Sequence, residues 1–269
     1  MIIFVDGHTL DESGQGTSTF IKNLYSQLII NHPNNYEVYI GCFNPNRVKK
    51  YFDNNKFKFV KYRFNNAFLR LLIDIPLIIK KVNPNIAHFQ YITPLIKTCK
   101  WHTTIHDVLF IDHPKYFTFK YRFIRTLLFG ISIFRSDLIS TVSNYSKERI
   151  ANFYKINEKK IKLIPNGVIQ KDKNKNFKLT KLLKDFFREN KEYFLCVSRF
   201  EPRKNQVSLL KAYIKRKYWE KNYALVFIGS RKIKVKVFDL LFEKLPIKAK
   251  NNIYFFCDIN SNELDYFYR

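Results

Sequence analysis

Short apolar runs alternate with segments of helical hydrophobic period along most of this chain. The apolar runs predict strands at residues 2–5, 37–41, 57–62, 86–90, 103–106, 138–142 and 161–164. Helical patterns fall between them, at residues 17–30, 67–81 with a kink at Pro76, 119–134 and 146–154. This alternation is typical of parallel sheets built from β-α-β units, and not of a sandwich or a helical bundle. The first part of the chain is therefore predicted to form one doubly wound α/β domain.

A second series of elements follows a change in composition. After Pro165, Asn166 and Gly167 the chain is polar and rich in lysine, and apolar runs resume at residues 193–198, 224–229 and 253–257. We therefore predict a domain at 1–167, a linker with a connecting helix at 168–192, and a second Rossmann-like domain at 193–269. Because three strands make a small sheet for such a domain, the second domain is expected to be incomplete.

Composition excludes several classes of protein. The 269 residues, 46% of them hydrophobic, suffice for a substantial core and exclude a disordered chain. The four cysteines are far apart and lack the paired spacing of a zinc site or a disulfide framework, so a cytoplasmic location is expected. Charged residues interrupt the longest apolar stretches, and we expect no segment that spans a membrane.

Arg199 and Lys204 carry the clearest chemical signal. They lie in the sequence SRFEPRKNQ, between the apolar run at 193–198 and a helical pattern that starts near Asn205. A strand-loop-helix arrangement would place both cations at a helix N-terminus, where backbone N–H groups and the helix dipole already favour anions. Guanidinium and ammonium groups would add charge-assisted hydrogen bonds to phosphate. The pattern predicts a diphosphate site, and the alternative is a solvated loop with surface ion pairs.

The same motif resembles the donor-binding loop of family 4 glycosyltransferases, which have the GT-B fold. Three further stretches are similar to this family and occur in its usual order: FVDGHTLDESGQGTSTFIKNL, TTIHDVLFIDHP and ISTVSNYSKERIANFYKINEKKIKLIPNGV. With LVFIGS and NIYFFCDINSNELDYFY, they extend the resemblance over nearly the whole chain. The resemblance implies two Rossmann-like, doubly wound domains that face a cleft.

The chemistry that this resemblance implies is transfer of a sugar from a nucleotide-diphosphate donor to a hydroxyl of a glycan or lipid-linked acceptor. The transfer would retain configuration and serve the synthesis of a surface polysaccharide. Negative charge grows on the β-phosphate as the glycosidic bond breaks, so cations held there stabilise the transition state. Arg199 and Lys204 match the family's positions for this role, and Ser198 belongs to the same loop. The cation pair could replace a divalent ion, so no metal and no cofactor is expected.

Other matched stretches supply further candidates. His106 closes an apolar run and would emerge at the carboxyl edge of the sheet, where open α/β folds bind ligands. The matching histidine of the family faces the donor sugar. Gly14 and Gly16 precede the first long helix and could bring backbone N–H groups to a phosphate. Asn166 and Gly167 form a turn that leads into the cleft in the family. Without the resemblance, these residues also fit a strand-end histidine, a plain capped loop and an ordinary turn.

One departure from the family lies at the end of the matched region. The family's pattern continues with a further strand and a loop whose glutamate pair contacts the ribose and sugar of the donor. A fragment, a truncated gene product and a variant completed by a partner chain all stay open. So do a non-catalytic scaffold subunit and another GT-B enzyme of sugar-phosphate chemistry, such as an epimerase.

The charge of the chain bears on its partners. With 48 basic and 22 acidic residues the formal net charge is +26, which attracts polyanions unless it reflects composition alone. Nucleic acid is not expected, because basic and stacking residues form no recognisable motif. The stretch FTFKYRFIRTLLFGISIF carries an apolar stripe, ringed by basic residues, of Phe123, Leu127, Leu128, Ile131 and Phe134. This stripe either faces the core or lies on the inner face of an anionic membrane.

Overall fold

The protein divides into two compact units, Met1–Gln170 and Lys171–Arg269. The structure is a computed structural model that describes residues 1–11, 16–52, 54–167, 179–189, 192–231 and 233–269. Each unit is a parallel sheet with helices packed against it. The α/β class predicted from the alternating patterns is confirmed.

Seven described strands form the sheet of the first unit. They are β1 (Ile2–Asp6), β2 (Glu37–Cys42), β3 (Phe57–Lys61), β4 (Ile86–Gln90), β5 (Lys100–Thr104), β6 (Leu138–Thr141) and β7 (Ile161–Leu163). Their order is β3-β2-β1-β4-β5-β6-β7, and neighbouring strands are parallel. The order reverses between β1 and β4. The carboxyl ends of these strands therefore border the position at which open α/β sheets bind ligands.

Helices cover both faces of this sheet. They are α1 (Gly16–Asn31), α2 (Pro45–Lys49), α3 (Ala67–Leu69), α4 (Ile75–Val82), α5 (Leu109–Asp112), α6 (Phe119–Arg135) and α7 (Asn144–Tyr154), with 3-10 turns at His8–Asp11, Pro114–Tyr116 and Glu158–Lys160. Ile3 and Val5 of β1 belong to one buried cluster with Ile21 of α1. Phe4, which points the other way, belongs to another cluster with Ile79 of α4. The two-residue period of the strand thus separates two helical layers.

The kink predicted at Pro76 takes the form of a π-helical turn. This turn, Arg70–Asp74, joins α3 to α4, and Pro76 lies in the first turn of α4. Proline has no N–H to donate to a preceding turn, so it is best tolerated at the start of a helix. At the beginning of the π-helical turn, the buried Arg70 guanidinium lies 3.8 Å from Oδ2 of Asp6.

The second unit has the strand order β10-β9-β8, and its strands are parallel. Its elements are β8 (Glu192–Val197), β9 (Tyr223–Ile228), β10 (Ile253–Phe256), α8 (Lys181–Glu189), α9 (Gln206–Lys215), α10 (Lys236–Glu243), α11 (Ile247–Lys250) and α12 (Ser261–Phe267), with 3-10 turns at Pro202–Lys204 and Tyr218–Lys221. Leu225 and Phe227 of β9 pack with Phe238 of α10. Val226 packs on the opposite face with Phe186 of α8.

The largest difference from the predicted strands is at β5. The strand starts at Lys100 rather than at residue 103, and it ends at Thr104, so His106 follows the strand and does not close it. The start of the strand was not predicted because His102 is polar and interrupts the apolar pattern. In the structure the side chain of His102 is buried and bonds to Ser140 of β6. Of the predicted linker, residues 168–178 lie outside the described residues, and the later part contains α8.

Candidate functional site

The predicted diphosphate loop lies between the carboxyl end of β8 and the start of α9. Arg199 follows the strand, and Lys204 ends a 3-10 turn; both side chains are exposed. Nε of Arg199 lies 3.5 Å from Oε1 of Glu201, and the other oxygen of Glu201 lies 2.6 Å from Nε of Arg203. Glu201 therefore orients two guanidinium groups on the strand-loop-helix unit that the motif predicts.

Two residues outside the predicted set support this loop. The buried amide of Gln206 donates hydrogen bonds to Oγ of Ser198 and to the carbonyl oxygen of Arg199, both at 2.9 Å. Gly229, directly after β9, has a φ of +143°, and a Cβ on it would lie 2.3 Å from the carbonyl oxygen of Ser198. Gln206 is the last residue of the motif SRFEPRKNQ, and a glycine directly after the apolar run LVFI indicates a close backbone approach.

Three of the predicted site residues in the first unit line one cavity. Gly16, Asn166 and Gly167 border a cavity of about 660 Å³, together with Phe20 and other residues of α1. This volume lies in the range of small-molecule sites, about 300–1,000 Å³. The fourth candidate of this unit's loops, Gly14, lies outside the described residues. The cavity lies between α1 and the segment that follows β7.

His106 lies behind the wall of this cavity. Its ring meets Phe20 edge to face, with 4.9 Å between the ring centroids. The residue lies just beyond the carboxyl end of β5, and because it is only 9% exposed, its ring is largely covered. Nε2 of His106 lies 2.7 Å from Oε1 of Gln90, which explains how a polar ring is accommodated there. Burial lowers the pKa of His106 to about 4 against the opposing effect of Asp107, and the imidazole is neutral at pH 7.

Gln90 connects His106 to a buried polar network that sequence patterns do not reveal. Nε2 of Gln90 lies 3.2 Å from Nε2 of His88. The same nitrogen of His88 lies 2.7 Å from Oγ1 of Thr104, and Nδ1 of His88 lies 2.6 Å from the hydroxyl of Tyr25. These contacts join β4 and β5 to α1. Every ring nitrogen of His88 therefore has a partner.

His88 and His102 stack in the middle of the sheet. Their ring centroids are 4.0 Å apart, and the ring planes differ by 5°. Burial lowers the pKa of His102 to about 4. Burial also lowers the pKa of His88 well below its usual value, and the neighbouring histidines lower it further. Both rings are therefore neutral residues of the core.

A buried charge cluster lies at the carboxyl end of β1. Asp6 accepts a hydrogen bond from the hydroxyl of Tyr62 at 2.7 Å and lies 3.0 Å from Nδ1 of His8. The guanidinium of Arg70 is close to its other oxygen. Burial alone would raise the pKa of Asp6, but His8, Arg70 and the Tyr62 hydroxyl outweigh it and hold this pKa well below its usual range. Among the described residues, no group of three or more metal-ligating side chains could hold a metal ion.

The basic amphipathic segment forms α6, but its apolar stripe faces outwards. Phe123 and Phe134 are 63% and 68% exposed, whereas the core-facing residues are Phe129, Ser132 and Ile133. The core-facing alternative is therefore wrong for the stripe. Hydrophobic periodicity did not identify the core face because it includes the polar Ser132. The hydroxyl of Ser132 accepts a hydrogen bond from the backbone N–H of Thr93 at 2.9 Å. No described helix is long and apolar enough to cross a bilayer.

Comparison with known proteins identifies the family. The model of Glycosyltransferase Family 4 matches residues 14–170, which is more than half of the chain. The chain belongs to glycosyltransferase family 4. The resemblance seen in the sequence motifs is thereby confirmed. The O-antigen chain mannosyltransferase RfbU of Salmonella typhimurium is 29% identical over 165 residues, which are 61% of this family 4 chain and 42% of RfbU. The match thus spans less than half the length of that relative.

Solved structures share the fold of this family 4 chain. A glycosyltransferase from Rickettsia africae ESF-5 has a TM-score of 0.64 at 21% identity, over 98% of this chain and 70% of that one. Anabaena HepE in complex with UDP-glucose has a TM-score of 0.63 at 13% identity, over 97% and 70%. A putative UDP-N-acetylglucosamine 2-epimerase from Listeria monocytogenes has a TM-score of 0.56 at 12% identity, over 98% and 70%. These similarities confirm the predicted α/β fold of the GT-B type.

Proposed function

We propose that this chain is a glycosyltransferase that moves a sugar from a nucleotide-diphosphate donor to a hydroxyl of a glycan or lipid-linked acceptor. In this proposal the reaction retains configuration and serves the synthesis of a surface polysaccharide. The observation that carries it is the loop after β8, where Arg199 and Lys204 precede the start of α9. Family membership and the similarity to an O-antigen chain mannosyltransferase support the substrate class. The structure of HepE with UDP-glucose supports a nucleotide-sugar donor.

The proposed role of the loop is to stabilise the leaving nucleoside diphosphate. The Arg199 guanidinium can offer two parallel N–H donors to phosphate oxygens, and Lys204 supplies a compact positive charge. Glu201 and Gln206 hold the loop before the donor arrives, so less reorganisation is needed when charge develops on the β-phosphate. In this proposal the two cations take the place of a metal. Loss of one preorganised donor of this type typically lowers kcat by about 10²–10³.

A sugar-nucleotide epimerase is the second candidate, because the Listeria protein shares the fold. The match to the glycosyltransferase family model over residues 14–170 favours the transferase. The two candidates differ in their products. A transferase releases the nucleoside diphosphate in the presence of an acceptor, whereas an epimerase returns an isomeric nucleotide sugar.

Calorimetric titration with UDP, GDP and ADP, with and without Mg²⁺, tests the proposed donor loop. We expect metal-independent binding of one nucleotide and its loss in an Arg199→Ala, Lys204→Ala double variant. A Lys211→Ala, Lys215→Ala double variant is the matched control, because it removes two cations farther along α9. If both double variants bind the nucleotide equally weakly, binding depends on the total positive charge and not on Arg199 and Lys204. Nucleotide binding without sugar transfer would favour a non-catalytic subunit that depends on a partner chain.

We also propose that α6 lies on an anionic membrane surface at the cytoplasmic face, where a lipid-linked acceptor would be found. The helix carries Lys120, Arg122, Arg125 and Arg135 and no acidic residue. Its exposed stripe includes Phe123, which is flanked by basic residues on the same helix. Apolar side chains that enter the interface and cations that meet anionic headgroups are the two contributions that such helices combine.

A further inference from the structure

We propose that Gln90 is a positioning residue for His106 and determines which nitrogen of its imidazole carries the proton. The inference rests on the proposed function and on the role that the family resemblance implies for His106, whose counterpart faces the donor sugar. Gln90 ends β4 and His106 follows β5, so the two residues meet at the carboxyl edge of neighbouring strands. Both side chains are buried, and the bond between them, 2.7 Å from Oε1 of Gln90 to Nε2 of His106, is a short one.

The two ends of the Gln90 amide face two different histidines. Oε1 faces Nε2 of His106, and the amide nitrogen faces Nε2 of His88 at 3.2 Å. An amide oxygen only accepts hydrogen bonds, and an amide nitrogen only donates them. The two histidines therefore have opposite roles. Nε2 of His106 carries a proton, and Nε2 of His88 does not.

The other partners of His88 are compatible with this assignment. With Nε2 unprotonated, the neutral ring carries its proton on Nδ1 and donates it to the Tyr25 hydroxyl, 2.6 Å away. The hydroxyl of Thr104 can then donate to Nε2 at 2.7 Å. Thr104 in turn lies 2.8 Å from Oγ of Ser140, which can donate to it. In this assignment the Thr104 hydroxyl accepts a hydrogen bond from Ser140 and donates one to His88.

The surroundings of His106 keep its ring neutral as well as oriented. Phe20 of α1 and Tyr91 after β4 contact the ring, at 4.9 Å and 5.3 Å between centroids. Ser146 of α7 donates to its carbonyl oxygen at 3.0 Å. The titratable neighbours are Tyr91, His88 and the adjacent Asp107, and burial of the ring outweighs the carboxylate.

The position of the proton determines which hydrogen bonds His106 can form with a substrate. With its proton on Nε2 and engaged by Gln90, the imidazole keeps the lone pair of Nδ1. That nitrogen can accept a hydrogen bond from a sugar hydroxyl, but it cannot donate one. In this proposal Gln90 makes Nδ1 of His106 a hydrogen-bond acceptor, and Gln90 itself does not contact the substrate.

Long-range ¹H–¹⁵N correlation spectra of the histidine rings in the full chain test this inference at neutral pH. The resonances of His106 are assigned by their loss in a His106→Gln variant. We expect an unprotonated Nδ1 and a protonated Nε2 in the wild type. In Gln90→Met, which keeps the length of the side chain but has no amide, we expect a mixture of both tautomers.

A second variant gives an independent readout. Gln90→Glu offers a carboxylate to His106, which favours the charged ring and should raise the pKa of His106 by about 1 to 3. Thr104→Val is the matched control, because it removes a partner of His88 and leaves the Gln90–His106 bond intact. It should preserve the His106 tautomer. Thermal melting identifies any variant that fails to fold.

Three outcomes would overturn the inference: a wild-type proton on Nδ1, an unchanged tautomer in Gln90→Met, or the same loss of tautomer in Thr104→Val. None of these spectra needs a donor or an acceptor. Absence of glycosyl transfer would therefore count against the proposed function alone, and an unchanged tautomer would count against the role of Gln90 alone.

Discussion

The carbonyl oxygen of Ser198 and the α-carbon of Gly229 lie so close together that a Cβ on Gly229 would be 2.3 Å from that oxygen. Ser198 directly follows β8, and Gly229 directly follows β9, the strand that pairs with β8. The backbone that carries Arg199 therefore rests directly on its neighbour. This contact, with the amide of Gln206, holds the proposed donor loop against the sheet.

We expect Gly229→Ala to lower the free energy of unfolding by at least about 2 kcal/mol. The φ of +143° is unfavourable for alanine, at a cost of about 1–3 kcal/mol, and the clash with Ser198 adds to it. Urea unfolding at pH 7.5 measures the change. Gly16→Ala is the control, because the described residues beyond its own helix backbone leave open space around an added Cβ, and it should be neutral or stabilise by up to about 1 kcal/mol. Equal stabilities of the two variants would contradict the predicted backbone contact.

Asp6→Asn should destabilise the fold by about 3–5 kcal/mol at pH 7, because it leaves the buried Arg70 guanidinium without its carboxylate. The pKa of Asp6 is lowered in the folded state, so its stabilising effect is complete above about pH 4 and declines as the pH falls further. Urea unfolding of both proteins between pH 7 and pH 3 should therefore show the difference narrowing only at the acid end. Asp185→Asn, which breaks an exposed pair with Arg188, should cost about 0–1 kcal/mol.

The stability of the wild type should fall between pH 7.5 and pH 5, because His102 and His106 are buried as neutral rings. Their pKa of about 4 lies below the usual 6.5, so the unfolded chain binds more protons in this window and acid favours unfolding. At pH 5 each contributes a loss of about 2 kcal/mol. Urea unfolding at several pH values tests this. His32→Gln, at an exposed position, should leave the slope unchanged, and a flat profile in the wild type would refute the prediction.

Binding of the protein to anionic vesicles should weaken by at least about tenfold in a Phe123→Ser, Phe134→Ser double variant, because two exposed apolar side chains of α6 are lost. Co-sedimentation with phosphatidylglycerol vesicles measures this, and high salt should weaken the binding of the wild type. Ile30→Ser with Ile247→Ser is the control, since both isoleucines are exposed elsewhere. Equal binding to neutral phosphatidylcholine vesicles, or equal losses in both double variants, would rule out α6 as a specific membrane surface.

Local patterns predicted most strands to within one or two residues, as for β4, where the predicted and observed bounds coincide at Ile86–Gln90. They failed where a polar side chain is buried by partners from a distant segment of the chain. At β5 the buried His102 bonds to Ser140, so a polar residue occupies a core position. In α6 the same effect at Ser132 concealed the core face. Hydrophobic periodicity assigns polar residues to solvent and has no means of detecting such partners.

The sequence by itself determined the α/β class, the succession of strand-helix units, the family and the loop that carries Arg199 and Lys204. These follow from the period of nearby side chains and from motifs of contiguous residues. Only the tertiary structure decided that Gln90 bonds to His106, that Gly229 supports the backbone of Ser198 and that the apolar stripe of α6 faces outwards. The first two depend on groups far apart in the chain, which meet only when the sheet brings its strand ends together. The third depends on which face of α6 is buried by the rest of the unit.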